Sequence, residues 1–160
     1  MQNETMKPIE WNDYFLEIAK TVSKRSNCLR AQVGAVIVGT DKKIKATGYN
    51  GTPSKVVSCM ELGFCYRMKN NIPSGTRYET CRSIHAEQNA IIQAALLGVS
   101  LDGATMYVTH QPCVICTRMI LNSGVKKVIY KNGYPDEFAR ELFKQSGVEL
   151  IKFSDLEKDA

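Results

Sequence analysis

The sequence has 160 residues, 44% of them hydrophobic and 23% charged, and its 21 basic against 16 acidic side chains leave a net charge of +5. That balance is globular, and it excludes disorder, collagen and coiled coil as descriptions of the whole chain. The longest apolar run, Val33 to Gly39, is far short of the roughly 20 residues that span a bilayer, so no membrane partner is expected.

In chain order, Trp11, Tyr14, Phe15, Ile18, Ala19 and Val22 recur at helical spacing and predict an amphipathic helix. Val33 to Val38 reads as a buried strand, Gly39 to Lys42 as a turn, and Lys43 to Thr47 as a returning strand. Residues 48–83 read as loop. His85 to Leu97 predicts a helix with Gly98 at its C-terminal stop, followed by a strand over Thr105 to Thr109. Pro112 suits the first position of a helix running to about Ser123, since its missing N–H costs nothing there. A strand over Val125 to Tyr130, a helix over Asp136 to Ser146 and a strand over Val148 to Phe153 complete the order, and residues 154–160 read as a solvated tail. The alternating second half predicts parallel strands with crossover helices, and the first pair an antiparallel hairpin. The expected fold is therefore α/β, a three-layer α-β-α arrangement about a five-stranded mixed sheet, with residues 1–160 forming one domain.

The N-terminal stretch MQNETMKPIEWNDY contains no secretory-type apolar segment, so a cytoplasmic, reducing location is expected. There the six cysteines serve as thiols or metal ligands rather than as disulfides. The mild basic excess suits an anion as small as a nucleotide. With no block of Lys and Arg, no nucleic-acid partner is expected.

The chemistry concentrates in His85-Ala86-Glu87 and Pro112-Cys113-Val114-Ile115-Cys116, each at the start of a predicted helix. The helix and strand between them form one repeat of an α/β sheet, which brings the two helix starts side by side at its carboxyl edge. One imidazole and two thiolates make three ligands for Zn²⁺ with a fourth position open, the catalytic arrangement. The positive end of the second helix favours thiolate. Glu87 is left over as a proton carrier beside a metal-activated water. Taken singly, each element has a plainer reading: a redox-active or structural Cys pair, a capping His, a chance His-x-Glu. Their conjunction is the signature of the zinc nucleobase deaminases.

From Trp11 to about Phe153 the chain resembles the cytidine deaminase superfamily, and within it the deoxycytidylate (dCMP) deaminase branch. The motifs that carry the likeness are Arg25-Ser26-x-Cys28-x-Arg30, Val33 to Val38, Gly48-Tyr49-Asn50-Gly51-Thr52-Pro53, His85 to Ile91 and Tyr107-Val108-Thr109. The resemblance implies hydrolysis of dCMP to dUMP and ammonia, with His85, Cys113 and Cys116 on the catalytic zinc and Glu87 moving protons. It further implies that Asn50 contacts the sugar-phosphate, that the backbone at Ala86 reads the pyrimidine edge, and that phosphate contacts come from the segments of Arg25, Ser26 and Thr52. Tyr134 is a candidate for stacking on the base. His110 lies close to the metal and could face the base, while Tyr130 reads as core. Members of the branch supply dUMP for thymidylate synthesis. Many are homohexamers, allosteric enzymes activated by dCTP and inhibited by dTTP.

Four cysteines remain, and three of them, Cys59, Cys65 and Cys81, fall in an insertion at about residues 52–84. By resemblance they stand with Cys28 where some relatives bind a second, structural zinc. The plainer alternative is small buried side chains or free thiols. Two other functions share the zinc motif: a deaminase acting on the wobble adenosine of tRNA, and a zinc-stabilised binding module without catalysis. A module would have no use for Glu87 and would need a fourth ligand.

Overall fold

The structure is a computed structural model that describes residues 6–133 and 135–158. Helix α1 (Trp11–Ser23) leads into the hairpin β1 (Gly34–Val38) and β2 (Ile44–Tyr49). The long connection that follows carries two single-turn helices, α2 (Cys59–Leu62) and α3 (Tyr66–Lys69), and a 3₁₀ turn (Tyr78–Thr80). Then come α4 (Ala86–Leu97), β3 (Thr105–His110), α5 (Val114–Asn122), β4 (Lys127–Asn132), α6 (Glu137–Ser146), β5 (Glu149–Lys152) and α7 (Phe153–Leu156). The sheet order is β2-β1-β3-β4-β5. β1 is antiparallel to both β2 and β3, whereas β3, β4 and β5 run parallel. This is the mixed five-stranded sheet that the alternation of elements predicts.

Strand side chains alternate between two apolar layers. Ala35 and Ile37 of β1 join Met106, Val108 and Val128 under α4, α5 and α6, through Ala86, Ala90, Ala94, Ile120 and Phe143. Val36 and Val38 point the other way, with Tyr107 and Ile129, against Phe15, Leu16 and Ala19 of α1 and Phe153 of α7. The period of two along a strand thus buries both faces.

Three segments depart from the sequence reading. Ser58 caps α2 by accepting the Glu61 N–H at 3.1 Å while Glu61 accepts the Ser58 N–H at 2.7 Å, so four residues hold a helical turn within a stretch that lacks helical periodicity. The segment beginning at Phe153 turns into α7 because Phe153 is buried in the α1 layer, with Leu156 packed beside it. The helix expected from Pro112 begins two residues later, at Val114, because the Gln111 N–H still bonds the Asn132 carbonyl at 2.8 Å and keeps the chain extended. No helix among the described residues is long and apolar enough to cross a membrane.

Two glycines set how closely the helices approach the sheet. A methyl group on Gly34 would overlap the α1 backbone at Ala19 and Ser23, and one on Gly48 would overlap the α4 backbone at Ala86 and Ala90. α4 is further stitched to β2 where Gln93 accepts the Thr47 N–H at 2.7 Å and the Asn89 amide donates to the Tyr49 carbonyl at 2.8 Å. Gly48→Ala is therefore expected to force α4 away from β2 and to cost about 2–3 kcal/mol of folding stability, read from the midpoint of urea denaturation.

Candidate active site

His85 is the N-cap of α4 and Cys113 the N-cap of α5. The Gln88 side chain accepts the His85 N–H at 2.8 Å and so fixes the backbone from which the imidazole projects. Asp136, itself the N-cap of α6, accepts the Val114 N–H at 2.9 Å through one oxygen and the Ala139 N–H at 2.9 Å through the other. One carboxylate thereby ties together the starts of two helices.

His85 Nδ1 lies 3.5 Å from Cys113 Sγ and 3.3 Å from Cys116 Sγ. Among the described residues, these three form the only group of three or more His, Cys, Asp or Glu whose ligand atoms all lie within 4.8 Å of one another. A tetrahedral zinc with bonds of about 2.3 Å to sulfur and about 2.1 Å to nitrogen would set nitrogen and sulfur roughly 3.6 Å apart, so the donor set fits that ion. The Cys116 contact, followed by His85, holds the Cys113 thiol down at about 4 despite burial. The same contact, together with burial, pushes Cys116 well up. Burial acts to lower His85, but Cys113 and Glu87 outweigh it and raise the imidazole. Glu87 is 4% exposed. Burial pushes its carboxyl up, with His85 pulling partly back.

A cavity of about 600 Å³ opens beside these groups, within the range for small ligands. Asn50, Ala86, Glu87, His85 and Cys113 all line it. Asn50 is anchored at both ends of its amide, accepting the Val33 N–H and donating to the Ala31 carbonyl, both at 2.8 Å. Arg25, Ser26 and Thr52 do not line the cavity. Arg25 is exposed. Ser26 is buried and accepts the Cys28 N–H at 3.2 Å, and Thr52 is tied to Asn27 and donates to the Val56 carbonyl at 3.2 Å. Tyr134 lies outside the described residues. His110 lines the cavity with Nδ1 2.9 Å from Thr109 Oγ1, and burial lowers its pKa. Tyr130 is in the core beneath α6. Lining residues that the sequence reading does not single out include Arg67, Tyr78, Gln111 and Asp136. Their signal is faint: Arg67 and Tyr78 sit in a stretch without periodicity, and an Asp opening a helix is an ordinary cap.

The other four cysteines are free thiols, with Cys59 and Cys65 buried and Cys28 and Cys81 half-buried. Burial pushes the Cys59 thiol up, and Cys65, Cys28 and Cys81 add to the effect, but no three of these four sulfurs lie within 4.8 Å of one another.

The family described as "Cytidine and deoxycytidylate deaminase zinc-binding region" matches residues 9–132. ComE operon protein 2 of Bacillus subtilis is 42% identical over 144 residues, 89% of this chain and 71% of its own length. The deoxycytidylate deaminase of Schizosaccharomyces pombe is 38% identical over 89% of this chain, which spans only 44% of that protein. A crystal structure of dCMP deaminase from the cyanophage S-TIM5, in complex with dCMP and dUMP, is similar with a TM-score of 0.73 and 35% identity, covering 92% of this chain and 99% of that one.

Asp136→Ala removes the α6 cap and the acceptor of the Val114 N–H at the start of α5 at once. It is expected to cost about 2–3 kcal/mol in urea denaturation, and by loosening the start of α5 to speed zinc loss to a chelator.

Proposed function

The chain belongs to the cytidine and deoxycytidylate deaminase zinc-binding family, and on that premise we propose that it hydrolyses dCMP to dUMP and ammonia, supplying dUMP for thymidylate synthesis. The observation that carries this reading is a buried carboxyl, Glu87, beside a three-donor zinc set that opens into a nucleotide-sized cavity. When bound, zinc supplies a Lewis acid that makes a water acidic near neutral pH. Glu87 takes a proton from the attacking water and hands it to the ring nitrogen next to the amino-bearing carbon. Once the C–O bond has formed, Glu87 takes the remaining proton from the new hydroxyl and passes it to the amino group, which leaves as ammonia as the C–N bond breaks and the carbonyl forms. The Ala86 backbone reads the pyrimidine edge, and Asn50, held rigid by residues 31 and 33, faces the sugar. In this reading residues 1–160 act as one domain, in the cytoplasm, with residues 52–84 as an insertion.

Cys28, Cys59, Cys65 and Cys81 would hold a second, structural zinc, a reading supported by the electrostatic effect of the other three on Cys59 and by the burial of two of them; binding would draw together sulfurs of which no three lie within 4.8 Å of one another in this structure. We also propose assembly as a homohexamer with activation by dCTP and inhibition by dTTP. The exposed Leu96 and Leu97 on α4 support association between copies.

Ammonia release from dCMP, dCTP, deoxycytidine, CMP and a tRNA stem-loop tests the substrate, with dCTP and dTTP added to the dCMP reaction to test regulation. Turnover of dCMP is expected. Turnover of the RNA alone would reverse the assignment, and no turnover at all would leave a zinc-stabilised module. Glu87→Gln is expected to keep its zinc and to lose about 10²–10⁴-fold in turnover, the contribution of general acid–base catalysis. Metal analysis is expected to give two zinc ions per chain, falling to one in Cys59→Ser; a single ion in the unaltered protein would discard the second site.

A further inference from the structure

We propose that Arg67 is the residue that selects a phosphorylated ligand in this cavity, an inference that rests on the dCMP reading and names the group that recognises its phosphate. Arg67 is 6% exposed. One terminal nitrogen donates to the Pro73 carbonyl at 3.1 Å and to the Thr76 carbonyl, while Nε has no hydrogen-bond partner among the described residues. No carboxylate among the described residues lies within ion-pair distance of it; the nearby Glu79 is exposed and pairs with Arg77 at 3.2 Å. A second arginine, Arg30, lines the same cavity and also lacks a carboxylate, giving its terminal nitrogens to the Ile72 carbonyl and Ser74 Oγ at 2.9 Å each.

Buried charges are ordinarily paired, because desolvation of a lone ion is costly and neutral carbonyls compensate it only in part. A guanidinium this deep, lining the cavity and facing no carboxylate of the protein, points to an anion supplied by whatever fills the cavity. Position identifies which part of the ligand that is. The Arg67 Cζ lies 5.1 Å from the Tyr78 ring centre, and the Tyr78 ring meets the His85 imidazole edge-on at 4.8 Å. The guanidinium is thus one aromatic ring removed from the metal donors. An anion that it meets is therefore a part of the ligand other than the base reacting at the metal donors. Burial pushes the Tyr78 hydroxyl up to about 12, so the spacer stays neutral. A planar guanidinium with free N–H groups matches a phosphate monoester, and it discriminates against the uncharged nucleoside because that leaves the buried cation unpaired.

The test uses the zinc-loaded full chain, with Arg67→Gln and Arg67→Lys. The unaltered protein is expected to prefer dCMP to deoxycytidine in kcat/KM, and in calorimetry to bind dUMP more tightly than deoxyuridine. Arg67→Gln is expected to shrink both preferences about 10- to 100-fold, mostly through KM, in line with a hydrogen-bonded charge pair. Arg67→Lys keeps the charge but loses the fork, and is expected to fall between the two; it reads the same ratio should the glutamine variant fold poorly. Parallel losses for nucleotide and nucleoside in either variant would mean that Arg67 only clamps residues 73 and 76, and would overturn the proposal, as would equal affinity of the unaltered protein for dUMP and deoxyuridine. If no cytosine compound is deaminated, the deaminase reading fails on its own, and the calorimetric ratio still decides the role of Arg67.

Discussion

Two sulfurs, an imidazole and a carboxyl crowd into one buried corner, with His85 Nδ1 within 3.5 Å of both Cys113 and Cys116. Such a cluster meets both desolvation and mutual repulsion of its anionic forms, which drive its groups apart: the Cys113 thiol is held down while Cys116 and Glu87 are pushed up. A divalent ion removes that conflict, since it takes both thiols as thiolates. Binding of such an ion couples to folding, because the rest of the architecture brings these donors together.

The scaffold does so through backbone rather than through long side chains. The parallel pairing of β3 with β4 places the turn after β3 beside the turn after β4, and Asp136 locks the α5 and α6 starts together. On the other side, Gly48 lets α4 lie against β2 closely enough for Asn89 and Gln93 to reach strand backbone. Each ligand thus projects from a helix start held by hydrogen bonds at its first turn, the rigidity a preorganised site requires. The cavity wall opposite is built differently, from a long connection held by arginines: Arg30 grips residues 72 and 74, and Arg67 grips residues 73 and 76.

The two halves of the site were unequally legible in the sequence. His85, Glu87, Cys113 and Cys116 announce themselves because metal chemistry restricts residue type and spacing, and because apolar periodicity places each motif at a helix start. The sheet was legible for the same reason, Val33 to Val38 and Thr105 to Thr109 being apolar runs with β-branched residues. The insertion was not. Its helical turns at Cys59–Leu62 and Tyr66–Lys69 are too short to show a period and depend on a capping box or on tertiary contacts. Arg67 carries no local mark of burial, since its depth comes from carbonyls six and nine residues later and from the Tyr78 ring. Arg25 and Thr52 illustrate the converse: a motif can be recognised while its side chains face outward or serve a turn.

The closure of Thr47 by Gln93 bears on how copies of the chain can meet. β2 is one margin of the sheet, and a free strand margin is a template for adding foreign strands. Here a glutamine from α4 occupies one of its outward amides, and at the opposite margin β5 offers only four residues, the first and last of them the charged Glu149 and Lys152. Strand-by-strand growth is thus discouraged at both borders, which leaves helix surfaces such as the uncovered leucines of α4 as the places where copies would meet.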